Sequence, residues 1–174
     1  MPELVTARLR LVPITLDAME AVLDGDQARA EAIVGARFPL GWPDAPLLDV
    51  GFPYSRAAIR ADPIVQLWGD SLVMMRDEPR VVGSVVFHGR PGDGIAEVGY
   101  AIEERSRGAG LASEATRACV EWALVQAGIT AVQATTFPWH IASLGVIRNA
   151  GMRQVATRDH DTLGELLVFE RRAR

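Results

Sequence analysis

The segment Ala96–Ala115, AEVGYAIEERSRGAGLASEA, determines how the rest of this chain is organised. An apolar strand over Ile95–Ile102 and a charged turn lead to Gly108-Ala109-Gly110, and a helix is predicted to begin at Leu111. Glycine lets the backbone approach a bulky anion, and the first turn of a helix presents unpaired N–H groups and the positive end of its dipole. The segment therefore indicates a phosphate-binding cradle, although an ordinary strand–turn–helix connection has the same pattern.

Two arginines, Arg105 and Arg107, add fixed positive charge beside these glycines. Two common nucleotide-binding motifs do not fit the segment. A Walker A loop needs a lysine, which the chain lacks, and a dinucleotide-binding fingerprint needs a third glycine where Ser113 stands.

Two separated motifs resemble the GNAT N-acetyltransferases. Arg105-Ser106-Arg107-Gly108-Ala109-Gly110 matches the acyl-CoA motif [Gln/Arg]-x-x-Gly-x-[Gly/Ala], and its extension Leu111–Ala115 resembles the Rim-type branch, the relatives of ribosomal-protein N-acetyltransferases. The second motif, Asn-x-x-Ser-x-x-Val-x-x-x-x-Gly-Phe, is matched in register by Ser143, Val146, Gly151 and Met152. His140 stands where this motif has asparagine, so a hydrogen bond from that asparagine to the cofactor or the sheet does not carry over directly to this chain.

The resemblance implies an α+β fold over a single domain, residues 1–174, with acetyl-CoA as co-substrate. Its mostly antiparallel sheet would splay at the strand Ile95–Ile102, with the thioester arm of acetyl-CoA in the splay. Backbone groups of Tyr100, Ala101 and Ile102 would pair with the pantetheine. The remaining residues that the resemblance places at the cofactor are Arg105, Arg107, Gly108, Ala109, Gly110, Leu111, Ala112, His140 and Ser143.

The implied chemistry is direct attack of a neutral amine on the thioester. Glu97 is the candidate to accept the amine proton, directly or through water, or it is simply a surface carboxylate. By its match to the family serine, Ser143 is the candidate proton donor to the CoA sulfur, or it only caps its helix. Tyr100 is a weaker acid candidate. His88 is expected to be a satisfied or exposed polar residue, with a catalytic base as the alternative.

Apolar periodicity predicts the remaining elements. The alternation of Arg8 and Arg10 with Leu9 and Leu11 indicates a half-buried strand. Two helices are predicted next, over Leu16–Leu23 with Thr15 or Asp17 as its cap, and over Asp26–Val34; a hairpin of Leu72–Arg76 and Val81–Phe87 and a turn over Arg90–Gly94 follow. The central helix is predicted over Leu111–Ala127, with Val125 on its apolar side and Gly128 as its cap. The last predicted elements are a strand Ala131–Phe137 parallel to Ile95–Ile102, a helix that packs Ile141, Leu144 and Ile147, and a final pair of strands, Met152–Asp159 and Gly164–Arg172.

The stretch 35–63 is rich in proline, glycine and aromatic residues, so we expect no regular element before a short helix at Ser55–Ala61. It either covers the core or forms a lid over an acceptor pocket lined by Trp42 and Phe52. A different donor such as succinyl-CoA would need an extra cation there, which Arg37 or Arg56 could supply.

Composition limits the function classes. A formal net charge of −4 argues against nucleic-acid binding, and the lone Cys119, expected in the core, leaves neither a disulfide nor a multi-cysteine metal site. The chain carries no apolar run long enough for a membrane span and no basic start typical of a signal peptide, so a cytoplasmic location is the default expectation. The acceptor amine stays open between a protein N-terminus and a small molecule, as does a homodimer through the lid or the last strands. A domain that binds acyl-CoA without turnover is the alternative from another functional class.

Overall fold

The computed structural model describes residues 1–89 and 91–173. Its centre is an 8-stranded sheet with the order β1-β2-β3-β4-β5-β6-β8-β7. The strands are β1 (Leu4–Val5), β2 (Leu9–Pro13), β3 (Asp70–Met75), β4 (Val81–Phe87), β5 (Ile95–Ile102), β6 (Ala131–Thr136), β7 (Arg153–His160) and β8 (Gly164–Arg172). The helices are α1 (Leu16–Leu23), α2 (Gln27–Val34), α3 (Phe52–Ala61), α4 (Leu111–Leu124) and α5 (Ile141–Asn149).

The sheet divides at β5, because this strand has different partners along its length. Residues Val98–Ile102 pair antiparallel with β4, whereas only Ile95–Glu97 pair with β6, in parallel. Beyond that point β6 pairs only with β8 on its other side. Val98–Ile102 and Ala134–Thr136 therefore diverge and leave a V-shaped opening between them. The predicted splayed, mostly antiparallel α+β fold is confirmed.

Two apolar cores lie on opposite faces of the sheet. One core joins α4 and α5 to the sheet through buried residues such as Val85, Val98 and Ile147. The other joins α1, α2 and α3 through residues such as Met19, Phe52 and Leu72. A ligand in the opening would consequently have a different set of helices on each side.

Local sequence explains how several elements begin. Leu9 and Leu11 are fully buried while Arg10 between them is exposed, as the alternation predicts. Of the two candidate caps for α1, Thr15 is the one that serves, since its hydroxyl accepts the Ala18 N–H at 3.2 Å. Asp26 caps α2 in the same way.

One predicted helix boundary and the predicted packing of two residues, Val125 and Ile141, are wrong. α4 ends at Leu124, not at Ala127, and Val125 is 79% exposed instead of packed. Gly128 lies in the following turn and does not cap the helix. In α5, Ile141 is 71% exposed, because the first turn faces solvent and burial begins at Ser143.

The expectation for residues 35–63 is wrong in part. The irregular segment is shorter than predicted, because a π-helical turn at Leu47–Gly51 leads directly into α3, which tolerates Pro53 in its first turn. Trp42 and Phe52 do not line a pocket. They are 9% and 0% exposed and pack edge to face, 6.2 Å between ring centroids, within the core under α1 and α3.

Three other expectations concern Cys119, the turn Arg90–Gly94 and a membrane span. Cys119 is fully buried, and burial raises the pKa of its thiol to about 12, which fits a core residue. Arg90 of the predicted turn Arg90–Gly94 lies outside the described residues. In the part of the chain that the structure describes, no helix is both long and apolar enough to cross a membrane.

Candidate active site

The glycine loop between β5 and α4 has the geometry of an anion cradle. Gly108 and Gly110 adopt left-handed torsions, with φ of +78° and +77°, and Gly110 is the N-cap of α4. A Cβ at Gly108 would meet no atom within 4 Å, so the space above this backbone is open. A cleft of about 300 Å³ extends from the loop to α5 and is lined by residues that include Ile102, Arg107, Gly108, Gly110, Leu111, Ala112, Ala142 and Val146.

The turn between β1 and β2 holds this loop in place. The Arg8 guanidinium donates to the Ala109 carbonyl at 2.8 Å and to the Glu114 carboxylate at 2.7 Å. Glu114 also accepts from the Thr6 hydroxyl at 2.6 Å. Glu114 is the one acidic residue in the first turn of α4, and these contacts pair its charge. The N–H groups of that turn therefore do not face an unpaired carboxylate.

The two arginines of the motif lie in different places. Arg107 donates from Nε to the Ile102 carbonyl at 2.8 Å, and it lines the cleft at the glycine loop. Arg105 instead lines a separate surface pocket with Arg80, Glu103 and neighbouring residues. The structure therefore brings Arg107, but not Arg105, to the cradle.

The backbone of β5 turns alternate peptide groups toward the opening. Gly94 accepts the Thr130 N–H at 2.8 Å on the β6 side, and Glu97 accepts the His88 N–H at 3.1 Å on the β4 side. Because these directions alternate along a strand, the groups of Val98, Tyr100 and Ile102 face the opening. Those of Ala101 face β4, where its carbonyl oxygen approaches Gly83.

Two hydroxyl groups meet on the α5 side of the opening. The Tyr100 hydroxyl lies 2.8 Å from the Ser143 hydroxyl and donates to the Ser143 carbonyl at 3.1 Å. Ser143 is buried, and burial raises the pKa of Tyr100. The N-cap of α5 is His140, so Ser143 is not the residue that caps this helix.

Glu97 lies on the opposite face of β5, beside a histidine. Its carboxylate is 3.7 Å from His88 Nδ1, an ion-pair separation, and accepts the Thr135 hydroxyl at 3.3 Å. The Glu97 carboxylate raises the pKa of His88, and His88 in turn lowers the pKa of Glu97. His88 Nε2 lies over β5, since a Cβ built at Gly99 would be 3.3 Å from it.

Sequence reasoning favoured a satisfied or exposed polar residue at His88 over a catalytic base. The available signal was the hairpin register, because β4 and β5 are antiparallel and their turn places His88 opposite Glu97. A histidine and a glutamate at the two ends of a short hairpin turn therefore predict a pair.

The remaining candidates lie at the margins of the site. His140 is exposed at the start of α5, with its ring tilted against Trp139 at 5.9 Å. Arg37 is 3.5 Å from Glu78, so its charge is paired, and Arg56 lies on α3. Across residues 1–89 and 91–173, no group of three His, Cys, Asp or Glu side chains is arranged to hold a metal ion.

A family model described as an acetyltransferase (GNAT) domain matches residues 8–153, which include the glycine loop, the opening and α5. The chain belongs to the GNAT acetyltransferase family. This GNAT domain is similar to two curated proteins of Bacillus subtilis (strain 168). It is 32% identical over 82 residues to the uncharacterized N-acetyltransferase YnaD, an alignment that covers 47% of this chain and about half, 48%, of YnaD. It is 25% identical over 130 residues to the uncharacterized N-acetyltransferase YjdG, covering 74% of this chain and 76% of YjdG.

Solved structures with this fold include acetyltransferases of ribosomal proteins. The ribosomal-protein-S5-alanine acetyltransferase of Vibrio fischeri superposes with a TM-score of 0.71 at 10% identity, over 99% of this chain and 97% of that one. RimL, a ribosomal L7/L12 acetyltransferase solved with coenzyme A, gives a TM-score of 0.67 at 15% identity, over 97% and 96% of the two chains. At such low identities the likeness shows the fold alone.

Proposed function

We propose that this GNAT domain transfers the acetyl group of acetyl-CoA to a primary amine by direct attack within a ternary complex. The observation that carries the proposal is the arrangement around β5. A glycine cradle and a hydroxyl pair lie at one side of the opening, and the Glu97–His88 pair lies at the other. A thioester in the opening could then be attacked from one face while its thiolate leaves toward the other.

In this proposal the chain would hold acetyl-CoA mainly with backbone groups. The N–H groups of Gly108–Ala112 and the α4 dipole would bind the pyrophosphate, with Arg107 at its edge. The peptide groups of Val98, Tyr100 and Ile102 that face the opening would pair with the amides of the pantetheine arm. A peptide N–H facing the opening is also suited to stabilise the oxyanion of the tetrahedral intermediate.

We assign uptake of the amine proton to the Glu97–His88 pair. The lowered pKa of Glu97 makes it a weak base, whereas the raised pKa of His88 brings the imidazole closer to the working pH of a general base. In this arrangement Glu97 orients His88 through Nδ1 and leaves Nε2 directed over β5. The proton passes to this pair directly or through water.

The hydroxyl pair of Ser143 and Tyr100 would assist departure of the CoA thiolate. Ser143 and Tyr100 share a 2.8 Å contact, so Tyr100 can replace the proton that Ser143 gives to the sulfur once its O–H turns from the Ser143 carbonyl to the Ser143 hydroxyl. We assign the donor role to Ser143 and the supporting role to Tyr100, whose raised pKa keeps it protonated.

The test is thiol release from acetyl-CoA with a panel of primary amines, with mass spectrometry of the acetylated product. Two variants serve as controls: Gly110→Glu, which places a carboxylate in the cradle, and Glu97→Gln. We expect acceptor-dependent thiol release that Gly110→Glu loses together with acetyl-CoA binding, and that Glu97→Gln lowers without a change in acetyl-CoA binding. Tight acetyl-CoA binding without transfer to any amine would instead support a binding-only domain.

A further inference from the structure

A large and mainly apolar cavity lies between α3 and the ends of β3 and β4. Its volume is about 660 Å³, within the range of pockets for small molecules. The walls are mainly apolar and include Leu47, Ile59, Trp68 and Phe87. Two further apolar side chains at its margin, Val50 and Tyr54, are 68% and 69% exposed, so the cavity is open to solvent there.

One polar group of this cavity is a buried carboxylate. Asp70 is 3% exposed and accepts a hydrogen bond from the Ser55 hydroxyl at 2.5 Å, and both residues line the cavity. Burial raises the pKa of Asp70, which means that its carboxylate lacks full solvation or charge compensation. An ammonium ion beside it would supply that compensation, whereas a second carboxylate would repel it.

One end of the cavity coincides with the reaction centre. His88 lines the cavity, pairs with Glu97 and places Nε2 over Gly99 of β5. An amine whose body fills the cavity would therefore present its nitrogen to the Glu97–His88 pair, at the point where β5 and β6 separate.

We propose that the cavity binds small amines with an uncharged apolar or aromatic body, and that Asp70 selects them over amino acids and other carboxylate-bearing amines. This inference rests on the proposed function and names its acceptor class. The apolar walls bind the body of the acceptor, and the buried carboxylate attracts the ammonium form as it enters. The same carboxylate makes the entry of an α-carboxylate unfavourable, so discrimination comes from repulsion as well as attraction.

The probes form a matched series around 2-phenylethylamine. L-Phenylalanine adds a carboxylate to it, L-phenylalanine amide adds a neutral group of similar size at the same carbon, and ethylamine lacks the ring. We expect kcat/KM for 2-phenylethylamine and the amide to agree within about tenfold. L-Phenylalanine should fall below them by at least about tenfold, because like charges are brought together. Ethylamine should fall by about a hundredfold or more, because it leaves the apolar walls unused.

Substitutions in α3 supply a matched control for the location of the site. Ala58 lines the cavity, whereas Ala57 is exposed and does not. Ala58→Trp should raise KM for 2-phenylethylamine by at least about tenfold, because the new ring takes up the space of the acceptor. Ala57→Trp should leave KM unchanged, and both variants should bind acetyl-CoA as the parent chain does.

Two charge variants test the role of Asp70. Asp70→Asn should lower the ratio of kcat/KM for the amide to kcat/KM for L-phenylalanine, through KM more than through kcat. Val50→Arg adds a cation at the exposed margin, where the side chain has room, and should reverse the preference toward L-phenylalanine.

Binding of the amine in the cavity can be tested separately from acetyl transfer. The dissociation constant of 2-phenylethylamine, measured in the presence of CoA, reports the cavity even without turnover. Binding that is lost in Ala58→Trp and kept in Ala57→Trp supports the inference. The inference is overturned if 2-phenylethylamine does not bind, or if both tryptophan variants bind it with the same affinity. It is also overturned if L-phenylalanine and its amide have the same kcat/KM, or if a peptide N-terminus is the preferred acceptor and Ala58→Trp leaves the KM for that peptide unchanged.

Discussion

The sharpest prediction concerns two glycines that share one backbone conformation but lie in different places. Gly108 belongs to the cradle and Gly128 to the turn after α4, with φ of +78° and +84°, and a Cβ at either would meet no atom within 4 Å. Alanine at either position therefore costs only the left-handed torsion, about 1 kcal/mol. For a chain of this size that corresponds to a loss of about 2–4 °C in Tm.

The two alanine variants should differ in acetyl-CoA binding. At Gly108 the new methyl group lies where the pyrophosphate must approach the backbone, so at least one charged hydrogen bond is lost or lengthened. Such a bond contributes about 1.5–3 kcal/mol, which corresponds to a dissociation constant about 10- to 150-fold higher. Gly128→Ala should bind acetyl-CoA like the parent chain. Isothermal titration and thermal melts measure both quantities, and equal dissociation constants for the two variants would refute the cradle.

Other substitutions test the chemistry and the sheet. Ser143→Ala should lower kcat by about 100-fold with acetyl-CoA affinity intact, and Tyr100→Phe should have a smaller effect, both measured by thiol release. Because Glu97 raises the pKa of His88, the rate should rise as pH increases through the raised value, and Glu97→Gln should move that limb to lower pH. The same pair stabilises the fold fully between the lowered pKa of Glu97 and the usual histidine pKa of about 6.5, and it loses its effect as pH rises through the raised pKa of His88. The stability difference between the parent chain and His88→Gln in denaturant titrations should therefore shrink at alkaline pH. Gly83→Ala should destabilise the chain by at least about 3 kcal/mol, because its Cβ would lie 2.1 Å from the Ala101 carbonyl oxygen.

Elements with a clear period or cap could be predicted from the sequence. The strand Ile95–Ile102 was predicted to the residue because its apolar run is bounded by glycine and by charged residues. The splay itself followed from the family resemblance and not from periodicity, since no local pattern says where β6 stops pairing with β5.

The predictions that failed depend on tertiary contacts. Trp42 and Phe52 are aromatic residues in a loop-like stretch, and sequence alone does not distinguish a pocket wall from a core under α1 and α3. Asp70 was not singled out at all, because its importance comes from burial beside Ser55, and those two residues are 15 positions apart. Arg105 was assigned to the cofactor by its charge and its place in the motif; the structure puts it at another pocket, and its role stays a prediction.

The proposed roles of Glu97, Ser143 and Tyr100 stay predictions, and the structure adds a pairing for each. Tyr100 and Ser143 lie on different elements, β5 and α5, and meet only because the two cross at the opening. The partner of Glu97 is the histidine at the end of the adjacent strand. These pairings make the proposed mechanism specific enough to test residue by residue.

The central claim is direct transfer from acetyl-CoA to an amine held at the same time across β5. The most direct test is a matrix of initial rates in which acetyl-CoA and 2-phenylethylamine are varied together, with product identity checked by mass spectrometry. The account predicts double-reciprocal lines that intersect, and an intact-protein mass that acetyl-CoA alone does not change. Parallel lines together with a stable acetyl-protein would contradict it, because they would mean that the acetyl group passes first to the protein.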